Sequence, residues 1–263
     1  MASHLVSLTL AAILAVAPGL ALAAGQKPDI AVKTRFAEAS VSLDPAIRSN
    51  AALTENLLTE GKRWLERNRA DAAKQYRASP ELFRDGRGYT FERNYRRSSK
   101  IADRYISVIR TDYIYTGGAH PNADIDTILW DDKSKKQISI RPFFKETADN
   151  GPTLRLLRSA AIEALKAEKK TRGIDDAETN ADDWYKWIEP RLLKVGSVSL
   201  APSTIAGKSA GLEFHYPPYA VGPYAEGTYV VFVPWESFKN ALSPEGAAIF
   251  AGTRPDEAKT GDK

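Results

Sequence analysis

The order of apolar patterns along the chain constrains the fold more than any single motif does. Apolar residues recur at helical spacing in two segments. The first begins at Asp44-Pro45, which suit a helix cap and a first helical position. It could run to about Tyr76 or stop near Arg69, and Ser79-Pro80 ends it. The second has Pro152 in its first turn and stops at Gly173. The intervening segments are rich in Tyr, Ile and Val and predict strands that run in groups. Because strands do not alternate with helices, we expect an α+β fold with antiparallel sheets.

The boundaries of these elements follow from turn residues and from proline. The predicted strands are 31–43, 89–96, 104–116, 124–130, 137–140, 196–200, 211–214 and 228–234. A long N-terminal helix and a central helix should pack on the sheets, with Asp149 or Asn150 capping the central one. Short helices are expected at 182–188 and 235–242. This pattern predicts two intimately joined subdomains, residues 24–140 and 141–251, followed by a disordered tail at 252–263.

The N-terminus carries a targeting pattern. Residues 5–24 are apolar except for four positions, and the run ends in Ala21-Leu22-Ala23-Ala24, which fits a small-residue cleavage site. A membrane anchor is the competing interpretation, but Pro18-Gly19 breaks the run early and fits a cleaved signal better. The first residues hold His4 but no Lys or Arg, which is atypical of a signal peptide. We predict a signal peptide of residues 1–23, a periplasmic or secreted protein, and no membrane span after cleavage.

Composition excludes several classes of chemistry. The chain has 263 residues, 37 Lys and Arg against 33 Asp and Glu, three His and no Cys. Such a small excess of positive charge is not typical of a dedicated nucleic-acid-binding protein. The absence of cysteine rules out disulfides, thiol nucleophiles and thiolate metal sites. The basic residues at the end of the central helix suit its dipole, and we interpret them as a solvated helix end: Lys166, Lys169, Lys170 and Arg172.

Two connections are candidates for ligand binding. The first runs from Tyr115 to Asn122, where Gly117-Gly118 permits positive φ and His120 is displayed. The alternative is a tight turn that His120 only stiffens. The second connection, 215–227, holds three tyrosines, three prolines and two glycines. Prolines rigidify such a loop and tyrosines favour recognition, although the tyrosines could equally pack on the sheet. The candidate ligand-binding residues are Tyr115, Gly117, Gly118, His120, Asn122, Tyr216, Tyr219, Tyr224 and Glu226.

Catalytic patterns are weak. The chain has no G-x-S-x-G elbow and no Gly-rich phosphate loop. After cleavage of the signal only His120 and His215 remain, and a metal site would require carboxylates such as Glu226 to converge on them. Adjacent aspartates lie in turns, where solvation explains them. The sequence therefore assigns no catalytic residue, no metal and no cofactor, and it favours a binding protein over an enzyme.

These segments together resemble a known family. The residues 115–122, the residues 218–227 followed by Val233-Pro234, and the short element 138–144 resemble a two-part extracytoplasmic domain of unknown function. That domain occurs in the lysozyme-binding anti-sigma factor RsiV and as the non-catalytic part of the peptidoglycan deacetylase PdaC. The resemblance covers roughly Val32 to Leu242. It implies a similar fold and a link to the cell envelope. The deacetylase chemistry belongs to a separate domain with a His-x-x-x-His pair, which this chain lacks.

The resemblance implies an exported, non-enzymatic binding protein whose partner is a C-type lysozyme or a cell-wall glycan. Such lysozymes are basic, so an acidic surface should face them, and one acidic stretch could supply it: Asp175, Asp176, Glu178, Asp182 and Asp183. One alternative is a peptidoglycan-acting hydrolase or deacetylase-like enzyme that uses His120, Glu226 and tyrosines as acid and base. Another is a purely structural envelope protein.

Overall fold

The computed structural model describes residues 27–84, 86–174 and 184–256. The predicted signal peptide, residues 1–23, lies outside this range. Across the described part of the chain, no helix combines the length and the apolar character that crossing a membrane requires.

Six strands form the first sheet and three form the second, in the order of the sequence. The first sheet contains β1 (Ile30–Lys33), β2 (Ala37–Leu43), β3 (Tyr89–Ile101), β4 (Tyr105–Tyr115), β5 (Asn122–Asp131) and β6 (Lys136–Ile138). The second contains β7 (Ser197–Pro202), β8 (Ser209–Tyr216) and β9 (Tyr229–Pro234). The helices are α1 (Pro45–Arg48), α2 (Ala51–Ala78), α3 (Pro152–Thr171) and α4 (Pro244–Ile249). The predicted α+β class, with helices packed on antiparallel sheets, is confirmed.

The long helix α2 covers one face of the first sheet. Its buried stripe includes Leu57, Trp64 and Leu65, and it packs on alternate residues of the strands beneath. At Gly61 a Cβ atom would lie 2.7 Å from the Val41 side chain, so glycine lets the helix approach the sheet closely. This packing buries the apolar stripe that the spacing predicted.

The two sheets pack directly against each other. Strand β7 lies against β3, β4 and β5. The Leu200 amide donates a hydrogen bond to the Ser107 hydroxyl at 3.1 Å, and the Ser197 hydroxyl contacts Asp126 at 3.1 Å. The central helix α3 packs on β9 of the second sheet. Contacts between the sheets are therefore partly polar, and they bring the connections of the two sheets close together.

Several local details differ from expectation. Strands β2 and β3 pair in parallel, because α1 and α2 form the long crossover that a parallel neighbour requires. The predicted N-terminal helix is interrupted at Ser49, and Asn50 caps α2 through the Leu53 amide. Asp44 does cap α1 as predicted.

The C-terminal half also departs from the sequence expectations. Neither Asp149 nor Asn150 caps α3. The Glu146 carboxylate instead accepts a hydrogen bond of 2.7 Å from the Thr153 amide in the first turn of the helix. The predicted helix at 235–242 is two short 3₁₀ turns, and α4 follows it. At the start of the predicted tail, 252–263, the Gly252 carbonyl accepts from the Trp235 indole at 3.1 Å, and Arg254 pairs with Glu213. Residues 257–263 lie outside the described range.

Candidate functional site

The two candidate connections meet on the surface. His120 lies between β4 and β5 in the first sheet, and Tyr219 and Tyr224 lie between β8 and β9 in the second. The His120 imidazole stacks on the Tyr224 ring, with centroids 3.8 Å apart and planes 18° from parallel. The Tyr219 hydroxyl lies 3.2 Å from His120 Nε2, and the two tyrosine rings are 5.5 Å apart. We call His120, Tyr219 and Tyr224 the ring cluster.

Glycine shapes the loop that carries His120. Gly117 and Gly118 have φ values of +94° and +100°, which a residue with a Cβ adopts only at a cost. The Tyr115 hydroxyl donates to the Gly118 carbonyl at 3.1 Å and closes the turn. His120 Nδ1 lies 3.0 Å from the Pro121 carbonyl, which can only accept. In the neutral ring Nδ1 therefore carries the hydrogen, and Nε2 accepts from the Tyr219 hydroxyl.

Tyr219 is held in an unusual backbone conformation. Its φ is +72°, a region that a non-glycine residue enters at a cost of about 1–2 kcal/mol. A hydrogen bond of 3.1 Å from the Ala220 amide to the Pro217 carbonyl closes the turn around it. The side chain is nevertheless 61% exposed. Burial of this ring in the core therefore does not account for the strained backbone.

Glu226 anchors the second connection from beneath. Its carboxylate accepts from Lys169 Nζ at 2.7 Å and from the Tyr229 hydroxyl at 2.5 Å. The Arg172 guanidinium donates to the Glu226 carbonyl at 3.0 Å and lies 4.0 Å from the centroid of the Tyr229 ring. Gly222 packs directly against the same carboxylate, and a Cβ atom at this position would collide with it. The end of α3 thus fixes the turn that presents Tyr224.

Lys169 is the residue whose role the sequence interpretation missed. We expected a solvated helix end, and Lys166 and Lys170 are exposed as predicted. Lys169, however, is 2% exposed and lies 5.3 Å from the Trp184 ring centroid. A signal for this was present, because Lys169 follows Leu165 by four residues and continues the buried stripe of α3.

Tyr216 and His215 are also buried and belong to the support of the second connection. The Tyr216 hydroxyl donates to the Val195 carbonyl at 2.7 Å, and burial raises the pKa of this phenol. His215 Nε2, on β8, lies 2.9 Å from the hydroxyl of Ser199 on the neighbouring strand β7. Burial, helped by the nearby Arg96 and Arg254 charges, lowers the pKa of His215 to about 4.

The structure thus divides the predicted site residues into two groups. His120, Tyr219 and Tyr224 form the ring cluster, and Gly117, Gly118 and Tyr115 shape its first loop. Asn122 begins β5, pairs with Ile114 and is exposed beside that loop. Tyr216 and Glu226 face inward and support the second loop.

No cation site accompanies these residues. Across 27–84, 86–174 and 184–256, no three His, Asp or Glu side chains are placed to hold a metal ion. The acidic stretch proposed to face a basic partner, from Asp175 to Asp183, lies outside the described residues.

Comparison with known proteins supports the fold and gives a family description for part of the chain. Residues 129–236 match a family model described as "Protein of unknown function (DUF3298)". A crystal structure of a DUF3298 family protein from Pseudomonas aeruginosa PAO1 is similar, with a TM-score of 0.53 and 16% identity over 82% of this chain and 88% of that one. A DUF3298 family member from Bacteroides fragilis NCTC 9343 has a TM-score of 0.49 and 14% identity, over 81% of this chain and 92% of that one. No curated protein matches the chain.

These similarities define how far the sequence-based resemblance reaches. The segment 129–236 carries a DUF3298 domain, which includes Tyr219, Tyr224 and Glu226 but begins after His120. The Pseudomonas likeness shows a shared fold and no activity. The comparisons do not show the resemblance to RsiV or PdaC, nor a ligand.

Proposed function

We propose that the protein is an exported, non-enzymatic binding protein of the cell envelope whose ring cluster contacts the ligand. The observation that carries this proposal is the convergence of His120, Tyr219 and Tyr224 from two different sheets on one exposed surface. Tyrosine rings give large contact areas at low cost in conformational entropy, and their hydroxyls add hydrogen bonds. A preorganised cluster of this kind suits recognition.

The positions of the acid and base candidates favour binding over catalysis. An enzyme using His120 and Glu226 would need both groups to reach one substrate. The Glu226 carboxylate instead faces Lys169 and Tyr229 beneath the loop. The second histidine that the structure describes, His215, is 3% exposed and contacts Ser199, which is 2% exposed. The exposed cluster thus offers an imidazole and two phenols, and no carboxylate of the described residues is hydrogen-bonded to them.

The ligand classes to test first are a C-type lysozyme and a peptidoglycan fragment. Stacked rings with polar edges suit the apolar face and the hydroxyls of a sugar, and they equally suit a protein surface. Titration calorimetry of the protein with each ligand, together with residual lysozyme activity, distinguishes the two. We expect saturable binding of one of them near one-to-one.

Variants of the ring cluster test whether the binding uses it. Tyr219→Ala and Tyr224→Ala should each weaken binding at least about tenfold, which corresponds to ~1.4 kcal/mol. Tyr113→Ala is the matched control, because Tyr113 is 39% exposed on β4 and is not part of the cluster. Equal affinities for all three variants would remove the cluster from the binding site.

Two further outcomes would contradict the proposal itself. Absence of binding at ~100 μM of either ligand, where about −5.5 kcal/mol would still register, would favour a structural role. In that case His120→Ala should lower the melting temperature and change no interaction. Turnover of muropeptides that is lost in His120→Ala would instead establish an enzyme.

A further inference from the structure

A second surface, distant in sequence from the ring cluster, projects apolar side chains into solvent. Leu193 is 92% exposed and Trp187 is 76% exposed. Within the described residues these are the two most exposed large apolar side chains. Single exposed apolar residues are common on protein surfaces. Two such residues on one twelve-residue loop, 184–195, require a more specific explanation.

The loop 184–195 is rigidly attached, so the exposure is built into the fold. Trp184, Ile188 and Val195 are buried in the core of the second sheet. The Arg158 guanidinium on α3 donates to the carbonyls of Tyr185 and Ile188. Within the loop, the Lys194 amide donates to the Arg191 carbonyl at 2.9 Å, and the Glu189 amide donates to the Lys194 carbonyl at 3.2 Å. The anchors point inward and the two apolar tips point outward.

Basic side chains outnumber acidic ones in the two described segments that meet at this loop. The loop lies beside the turn and edge strand that end the first sheet, because Leu192 and Leu193 line one shallow cleft together with Gln137 and Ile138. Residues 132–138 and 184–195 carry six exposed basic side chains: Lys133, Lys135, Lys136, Lys186, Arg191 and Lys194. The same segments carry two acidic ones: Asp132 pairs with Lys135, and Glu189 pairs with Arg191 and Lys194. Positive charge still predominates in these segments.

We propose that the loop 184–195 docks the protein on an anionic lipid surface, with Trp187 and Leu193 entering the headgroup region. Tryptophan prefers the boundary between water and acyl chains, where its ring is apolar and its N–H stays hydrated. Each Lys or Arg near an anionic leaflet adds attraction, and clusters of four to eight are typical of lipid-binding surfaces. The two apolar side chains add buried apolar area in the lipid, which electrostatic attraction alone does not provide. This docking is independent of the ring cluster, so either proposal can fail alone.

A vesicle experiment tests the docking. The full-length chain is expressed, and the form that the cell produces from it is purified. This protein is mixed with vesicles of phosphatidylcholine alone or of phosphatidylcholine with phosphatidylglycerol. We expect binding to the anionic vesicles only. The double variant Trp187→Ser, Leu193→Ser should bind at least about tenfold more weakly at an unchanged melting temperature. Ile205→Ser, at a 47% exposed position between β7 and β8, is the matched control and should bind like the parent.

Lipid-borne quenchers report the position of the tip. Brominated phosphatidylglycerol should quench part of the tryptophan emission of the parent protein. The variant Trp187→Phe should bind vesicles yet lose most of this quenching, because Trp64, Trp130 and Trp184 are buried. The remaining tryptophan, Trp235, is half-buried and donates its indole N–H to the Gly252 carbonyl, so it should contribute little. The variant Lys133→Gln, Lys136→Gln should weaken binding several-fold and reduce its dependence on salt.

Three results would overturn the docking. The first is equal vesicle binding by the parent and the double serine variant. The second is bound parent protein whose emission the brominated lipid leaves unchanged. The third is binding of soluble polyglutamate with no binding of anionic vesicles, which would assign the surface to an acidic polypeptide.

Discussion

The connection between β8 and β9 has a buried base and an exposed tip, and the two parts differ in how their side chains are held. At the base, His215, Tyr216 and Glu226 have their polar atoms matched by partners from β7, from the segment before it and from α3. At the tip, Tyr219 is exposed and Tyr224 is half-buried, and their described ring contacts are with His120 and with each other. Tyrosine occurs in both parts, so the residue type alone does not tell which tyrosine is buried and which is exposed.

The comparison teaches that rigidity at the base allows exposure at the tip. A long flexible loop would lose conformational entropy when it bound a ligand. Here the buried ion pair and the buried phenol have already ordered the loop during folding. The predictions below separate stability, which the base should control, from binding, which the tip should control.

The largest effect is expected for the ion pair at the base. Lys169→Met keeps the apolar stem but leaves the Glu226 carboxylate, whose side chain is 11% exposed, without its cation. Breaking one partner of a buried pair costs about 3–5 kcal/mol, and urea denaturation should show this loss. The double variant Lys169→Met, Glu226→Gln should be less destabilised than the sum of the single changes. A single-variant loss below about 1 kcal/mol would show that the pair does not hold the base.

The second effect is a dependence of stability on pH through His215. Its pKa is lowered from 6.5 to about 4 in the folded protein, so the unfolded chain binds the additional proton between these values. Stability from this group is therefore complete above pH 6.5 and falls as the pH decreases towards 4, by about 3 kcal/mol. Other carboxylates titrate in the same range. The stability difference between the parent and His215→Gln should isolate this contribution and shrink over that window. A constant difference would contradict the burial of His215.

A smaller effect is expected for the buried phenol. Tyr216→Phe removes the hydrogen bond to the Val195 carbonyl without changing the packing of the ring. The buried carbonyl then lacks that donor, so we expect a loss of about 1–2 kcal/mol in the free energy of unfolding. Tyr115→Phe, which removes a hydrogen bond at an exposed turn, should change stability by less than about 0.5 kcal/mol and serves as its control.

The smallest effect on stability should come from the tip. Tyr219→Ala removes an exposed ring and leaves no cavity in the core. Its free energy of unfolding should therefore lie within about 0.5–1 kcal/mol of the parent value, and its melting temperature should lie close to that of the parent. The same variant should lose binding if the proposed function is correct. A large loss of stability in Tyr219→Ala would mean that the tip also holds the fold, and the division between base and tip would fail.

Much of the local structure was predictable because it depends on neighbours in the sequence. The Asp44 cap, the end of α2 before Pro80 and the end of α3 at Gly173 each follow from the chemistry of one or two residues. The candidate residues of the ring cluster were also identified from sequence. The parallel pairing of β2 with β3 was missed, because pairing depends on where a crossover helix returns the chain.

The sequence by itself determined the fold class, the two long helices and the two loops with unusual glycine, proline and tyrosine content. Local backbone preferences and apolar spacing are written in neighbouring residues, so these features need no distant contact. Only the tertiary structure decided that His120 meets Tyr219 and Tyr224, that Glu226 pairs with Lys169, and that Trp187 and Leu193 remain outside the core. The contacts join side chains 57 or more residues apart in sequence, and the exposure of Trp187 and Leu193 depends on the space left around their loop. One sequence can state which side chains are available, but packing decides which of them are buried, paired or exposed.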